Sequence, residues 1–144
     1  MPDTMETLRA AVEIAFPGGD GVAAGLDVRA DIHIRDALEG FLPGSLDLLA
    51  ALLDAQAAGA GATDGFAALP PVERAAVFRS MLSEEIADVR ELAEAVLLFG
   101  AGAVFSEWSG YDRATRTLRP PPVWERIGFG GPSIGHPSYR AERS

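Results

Sequence analysis

Apolar positions along this chain recur at the three-to-four-residue spacing of helices. Asp3 or Thr4 can cap a first helix running to about Ala15, with Leu8, Val12 and Ala15 on one stripe and Phe16-Pro17 ending it. Val28, Ile32, Leu38, Phe41 and Leu42 give a second helix one apolar side, over Val28 to Leu42, and Pro43-Gly44 breaks it. A third runs from Ser45, through Leu46, Leu49, Leu52 and Leu53, to about Ala58. After the small-residue stretch Gly59 to Gly65, the segment Phe66-Ala-Ala-Leu69-Pro70-Pro71 leads into a fourth helix. Proline is tolerated in its first turn because the amides there are unpaired, and Val72, Phe78 and Met81 supply its expected packing face. A longer, central helix is expected over Glu84 to about Trp108. Glu84 and Glu85 favour its dipole, and Ile86, Val89, Ala93, Val96, Leu97, Ala103 and Val104 line its buried side.

No strand-like alternation and no internal repeat interrupts this pattern, so the expected fold is all-α. It is a small bundle of about five helices over residues 1–109, and residues 110–144 form an extended tail within the same structural domain. The runs Pro120-Pro121-Pro122 and Gly128-Phe129-Gly130-Gly131-Pro132-Ser133-Ile134-Gly135 cannot continue a helix, which makes the expected tail irregular. Disordered ends are poor in aromatics, yet Tyr111, Trp124, Phe129 and Tyr139 stand among these glycines and prolines. They are expected to occupy pockets, part of the tail lying on the bundle and part on a partner.

Composition narrows the chemistry. The 144 residues fit one domain, and no apolar run approaches the ~20 residues of a membrane span, so the chain reads as soluble. Cysteine is absent, which removes disulfides, thiolate nucleophiles, cysteine-bound zinc and iron–sulfur clusters. The N-terminus lacks a basic and then apolar leader, so the sequence as written reads as cytoplasmic, or periplasmic if a twin-arginine signal has been removed from it. The formal charge is -9 and there is no lysine. Residues 1–111 hold six Arg against eighteen acids, whereas residues 112–144 hold six Arg against three. Nucleic acid and anionic membranes are poor partners for this surface. A basic tail on an acidic body either folds back on that body or docks on another protein through planar arginine forks.

Several suggestive motifs fail on chemistry. Gly18-Gly19-Asp20-Gly21 follows a helical pattern and lacks the Gly-Lys-Ser/Thr ending of a phosphate loop, so it reads as a turn. Asp20, Asp27 and Asp31 lack EF-hand spacing and a closing bidentate Glu, and read as surface acids. Gly100-Ala-Gly102 has Phe105 where a dinucleotide fingerprint needs a third glycine; its small residues instead suit the close approach of a neighbouring helix or chain. His33, a lone histidine in a helix, reads as a surface or packing residue, and His136 has no base, nucleophile or metal companion at a diagnostic spacing, so catalytic, cofactor and metal residues are all expected to be none. A stand-alone small-molecule-binding bundle is the alternative, its pocket lined by Phe41, Phe66, Phe78 and Phe99, which read more simply as core.

The run Ser106-Glu107-Trp108-Ser109-Gly110-Tyr111, then Arg116, the prolines and Trp124-Glu125-Arg126-Ile127-Gly128-Phe129-Gly130-Gly131-Pro132-Ser133-Ile134-Gly135-His136, resembles the gluconate 2-dehydrogenase subunit 3 family. Phe66 to Leu69 with Arg74 and Phe78, and the opening helix ending in Phe16-Pro17-Gly18, extend the resemblance over most of the chain. The resemblance implies a non-catalytic small subunit of a heteromeric FAD-dependent sugar or alcohol dehydrogenase. Its partner would be a large catalytic subunit of the glucose-methanol-choline type, in some relatives joined by a cytochrome subunit. FAD would sit in that partner, and this chain would support its folding, flavin loading or stability. The residues expected to bind the partner are Trp108, Tyr111, Arg116, Trp124, Arg126, Ile127, Phe129, Pro132, His136 and Tyr139. Of these, Arg126, His136 and Tyr139 could reach into the partner's substrate channel. Many relatives begin with a twin-arginine signal, which this sequence lacks.

Overall fold

The computed structural model of the chain describes residues 3–106, 111–112 and 114–130. It is all-α, with helices α1 (Thr4–Ala15), α2 (Ala30–Phe41), α3 (Ser45–Gly59), α4 (Pro71–Leu82), α5 (Ala87–Phe105) and α6 (Pro122–Ile127). A hairpin of two-residue strands, β1 (Tyr111–Asp112) and β2 (Thr117–Leu118), lies between α5 and α6 with Tyr111 opposite Leu118. Among the described residues, no helix is long and apolar enough to cross a membrane.

Helix α5 packs against all five other helices and is the centre of the bundle, as its length and apolar content predict. It is shorter than expected at both ends. Ser83 and Glu84 close a turn on Ser80 and Met81, so the helix begins beyond Ile86, which is left mostly exposed instead of buried. At the other end Ser106 is extended, its amide closing the last turn on Gly102.

Helix α4 differs from its expected orientation. Val72 is 82% exposed, and the buried line runs through Arg74, Val77, Phe78 and Met81. The reason is Arg74, whose guanidinium points inward to the Leu69 carbonyl at 2.9 Å, the Ala10 carbonyl at 3.3 Å and the Glu13 carboxylate at 2.6 Å. One buried cation thus joins α1, the α3–α4 connection and α4, and its charge is paired and hydrogen-bonded, as burial requires. Helical geometry then turns Val72 outward.

Of the four phenylalanines expected in the core, Phe66 and Phe78 are buried there, Phe99 is half-buried and Phe41 is 80% exposed. The buried line of α2 passes through Ala30, Ile34 and Leu38 and runs out where Pro43-Gly44 turns the chain, leaving Phe41 on the surface, stacked on Phe99.

The small residues expected to permit close approach do so for the chain's own Phe16. A Cβ at Gly100 would overlap the edge of the Phe16 ring, and one at Gly25 would lie 2.8 Å from Val12 Cγ1 and 2.9 Å from Phe16 Cβ. Phe16 closes α1, its amide bonding the Val12 carbonyl, and its own carbonyl accepts the Gly25 amide at 2.8 Å.

Asp31 corrects the surface-acid expectation, since its side chain is only 1% exposed. Arg9 of α1 donates to Oδ2 at 3.1 Å, and Arg29, in the left-handed conformation just before α2, donates to Oδ1 at 3.2 Å. Burial pushes this carboxyl up, but the Arg29 and Arg9 hydrogen bonds outweigh it and hold the group below its ordinary value. A carboxyl depressed in the folded state adds stability that is complete above its unfolded pKa of about 3.9 and is lost as pH falls through that value and the lower folded one. Stability should therefore decline below about pH 4, and Asp31→Asn should flatten that decline while costing about 1–3 kcal/mol near pH 7. Urea unfolding from pH 2.5 to 7 measures both; an unchanged acid slope in the variant would contradict the assignment.

Candidate interaction surface

The C-terminal segment is where the sequence concentrates its candidates, and the described part of it is more regular than an extended tail. Pro121 precedes α6 and Pro122 opens it, because proline's fixed φ suits the first helical turn, so the triple proline starts a helix although it could not continue one. Gly128 ends α6 in the left-handed conformation that favours glycine.

This short helix lies on the chain's own bundle. Val123 and Trp124 are buried, Trp124 at 6% exposure, and the indole Nε1 donates to the Phe105 carbonyl at 2.8 Å. That carbonyl belongs to the last turn of α5, whose acceptors have no partner within the helix, so the tryptophan satisfies a group the helix cannot. Phe129 meets the indole edge-on at 5.0 Å, and its amide bonds the Trp124 carbonyl at 2.8 Å. Arg126 crosses to the other end of the sequence, its Nε donating to the Asp20 carbonyl at 2.7 Å while its methylenes lie over Gly21. The Gly18–Gly21 turn, pinched by paired amide–carbonyl bonds between Gly19 and Val22, thus receives an arginine side chain from its own C-terminal segment.

The partner-binding candidates divide accordingly. Trp124 and Arg126 are engaged within the chain, although Arg126 remains accessible. Ile127 and Phe129 are about half-exposed beside them, and Arg116 stands exposed in the hairpin turn with a positive φ of 54°. The Asp112 carboxylate holds that turn by accepting from Thr115 and Ala114, contacts that lower its pKa. Trp108, Pro132, His136 and Tyr139 lie outside the described residues, as does the side chain of Tyr111. The composite-site idea retains only Arg126 among them, and its Nε faces a loop carbonyl of this chain.

A second group of surface residues joins Phe41 and Phe99, which the sequence suggested only as pocket or core residues, to Leu98, Phe105 and Leu42, which it did not single out as a site. Phe41 and Phe99 stack with ring centres 5.8 Å apart and planes 13° apart, while Leu98, next to Phe99, is 68% exposed, and Phe105 and Leu42 are also exposed. The signal was available in α5, where Leu98 and Phe105 fall outside the stripe formed by Ala93, Val96, Gly100, Ala103 and Val104. Elsewhere, an open depression of about 550 Å³ between α3 and α4 is lined by Gln56, Leu69, Glu73, Val77 and Ser80. The four phenylalanines proposed for a ligand pocket do not line it.

Trp124→Ala should lower the unfolding free energy by at most about 3 kcal/mol, the loss being capped by what docking of α6 contributes, and Trp124→Phe by about 1 kcal/mol, through the lost N–H donor. Helical circular dichroism from α1 to α5 should persist in both, and urea titration reads the difference. Comparison of this chain with protein-family models, with curated proteins and with solved structures finds no match.

Proposed function

We propose that this protein is a non-catalytic accessory subunit that docks on a larger protein and supports its folded, cofactor-loaded state. The observation that carries the reading is the stacked pair of exposed Phe41 and half-buried Phe99, with the exposed Leu98 beside Phe99 in sequence, apolar surface that the bundle leaves uncovered. Scattered exposed apolar residues are ordinary, but adjoining ones mark interaction sites. A stacked pair such as Phe41–Phe99 also presents a large, rigid contact area of the kind enriched in interface centres.

What the resemblance in the C-terminal segment implies for the partner is a large FAD-dependent subunit of the glucose-methanol-choline type, oxidising a sugar or related alcohol. The exposed Ile127 and Phe129 belong to the motif that carries this resemblance and are available for contact. Trp124 of the same motif has a different role, since it seats the motif on α5 and so fixes where those two side chains are presented.

The test is production of such a flavoprotein with and without this chain. The chain should co-purify with it, and bound flavin per large subunit should rise from a minor fraction to near one, with activity rising in step. A large subunit that is fully loaded with FAD and fully active alone, together with an accessory chain that elutes alone, would refute the proposal.

A further inference from the structure

Resting on the accessory-subunit reading, we infer that the outward face of α5 is the seat for an amphipathic helix of the partner, one whose apolar stripe is bordered by arginine or lysine. At 100° per residue, Leu98 and Phe105 project within about 20° of one another and about 160° round from the buried stripe of α5. Their rise of 1.5 Å per residue separates them by roughly 10 Å along the axis, the spacing of i and i+7 anchors in helix-in-groove recognition. Phe99, about 100° further round α5 from Leu98, carries the stack with Phe41 of α2.

Charge selects the occupant. Glu94 and Glu91 lie on the same outward strip, one and two turns before Leu98. Glu94, well exposed, has only a long 3.7 Å contact to the half-buried Arg90, which neutralises little. The first 111 residues carry three acids for every arginine. A second copy would therefore bring acid against acid, an anionic membrane would be repelled, and an acidic helix would be rejected. A helix with apolar anchors and cationic flanks meets both the greasy and the charged parts of the strip.

Two synthetic amphipathic peptides of about eighteen residues, one of Leu and Lys and one of Leu and Glu with identical leucine positions, test this by titration calorimetry against the full chain. The Leu/Lys peptide should bind one to one in the micromolar range and the Leu/Glu peptide should not bind. Leu98→Asp should weaken the Leu/Lys peptide by about tenfold or more, although it adds a negative charge, because it removes the apolar anchor. Val72→Asp, which adds the same charge at an exposed position on α4, should not weaken it. Circular dichroism should be unchanged in both.

Undiminished affinity in Leu98→Asp would reduce the binding to charge attraction and overturn the proposal, as would equal binding of both peptides. Sedimentation that finds a dimer converted to monomer by Leu98→Asp would assign the face to a second copy and overturn it likewise. If the peptide arms fail while a flavoprotein still co-purifies, the accessory role stands and docking lies elsewhere. If they succeed while no flavoprotein is loaded, the surface stands and the partner's identity falls.

Discussion

The seating of Phe16 against Gly100 is the constraint from which much of this structure follows. A side chain at position 100 would collide with the ring, so only glycine lets the end of α1 come this close to the middle of the central helix. Gly25 performs the same service at the base of the Phe16 side chain and beside Val12. Held there, Phe16 fixes where the chain leaves α1 and hence where the Gly18–Gly21 turn stands. That turn offers the Asp20 carbonyl to Arg126, while the end of the same central helix offers the Phe105 carbonyl to Trp124. Both anchor points of the C-terminal segment thus depend on α5 and on what is packed into it.

The parts of the fold that could be read from sequence were those set by local chemistry. Asp3 caps α1 through its side chain, Pro71 opens α4 and Gly44 precedes α3, each where turn and capping preferences put it. What could not be read was set by partners far along the chain. Arg74 looks like a surface residue until Ala10 and Glu13 come to it, and Asp31 like a surface acid until Arg9 does. Val72 and Phe41 were misplaced for the complementary reason, that an apolar residue in a helix is buried only if a neighbour covers that face. Trp124 was legible as an aromatic needing a pocket, but nothing local reveals that its N–H completes the last turn of α5.

The electrostatic division of the chain takes on a physical form in the same contacts. Three of the six arginines of the acidic body are spent internally, Arg9 and Arg29 on Asp31, Arg74 on Glu13 and backbone carbonyls, so the acids that remain outside face solvent with few local counter-charges. Arg126 shows that the arginine-rich segment folds back at least in part, through a hydrogen bond to a carbonyl instead of an ion pair. The proposed surface on α5 lies at the junction of these features, where exposed leucine and phenylalanine adjoin Glu91 and the weakly paired Glu94 on a helix packed along its opposite face.

A double-mutant cycle at Phe16 and Gly100 tests this dependence most directly. Gly100→Ala alone should lower the unfolding free energy by about 1–3 kcal/mol, because overpacking against the ring exceeds the ~1 kcal/mol that alanine gains over glycine in a helix. In a Phe16→Ala background the same substitution should reverse sign and raise stability, since only the helix preference remains. An equal, stabilising effect of Gly100→Ala in both backgrounds would contradict the account.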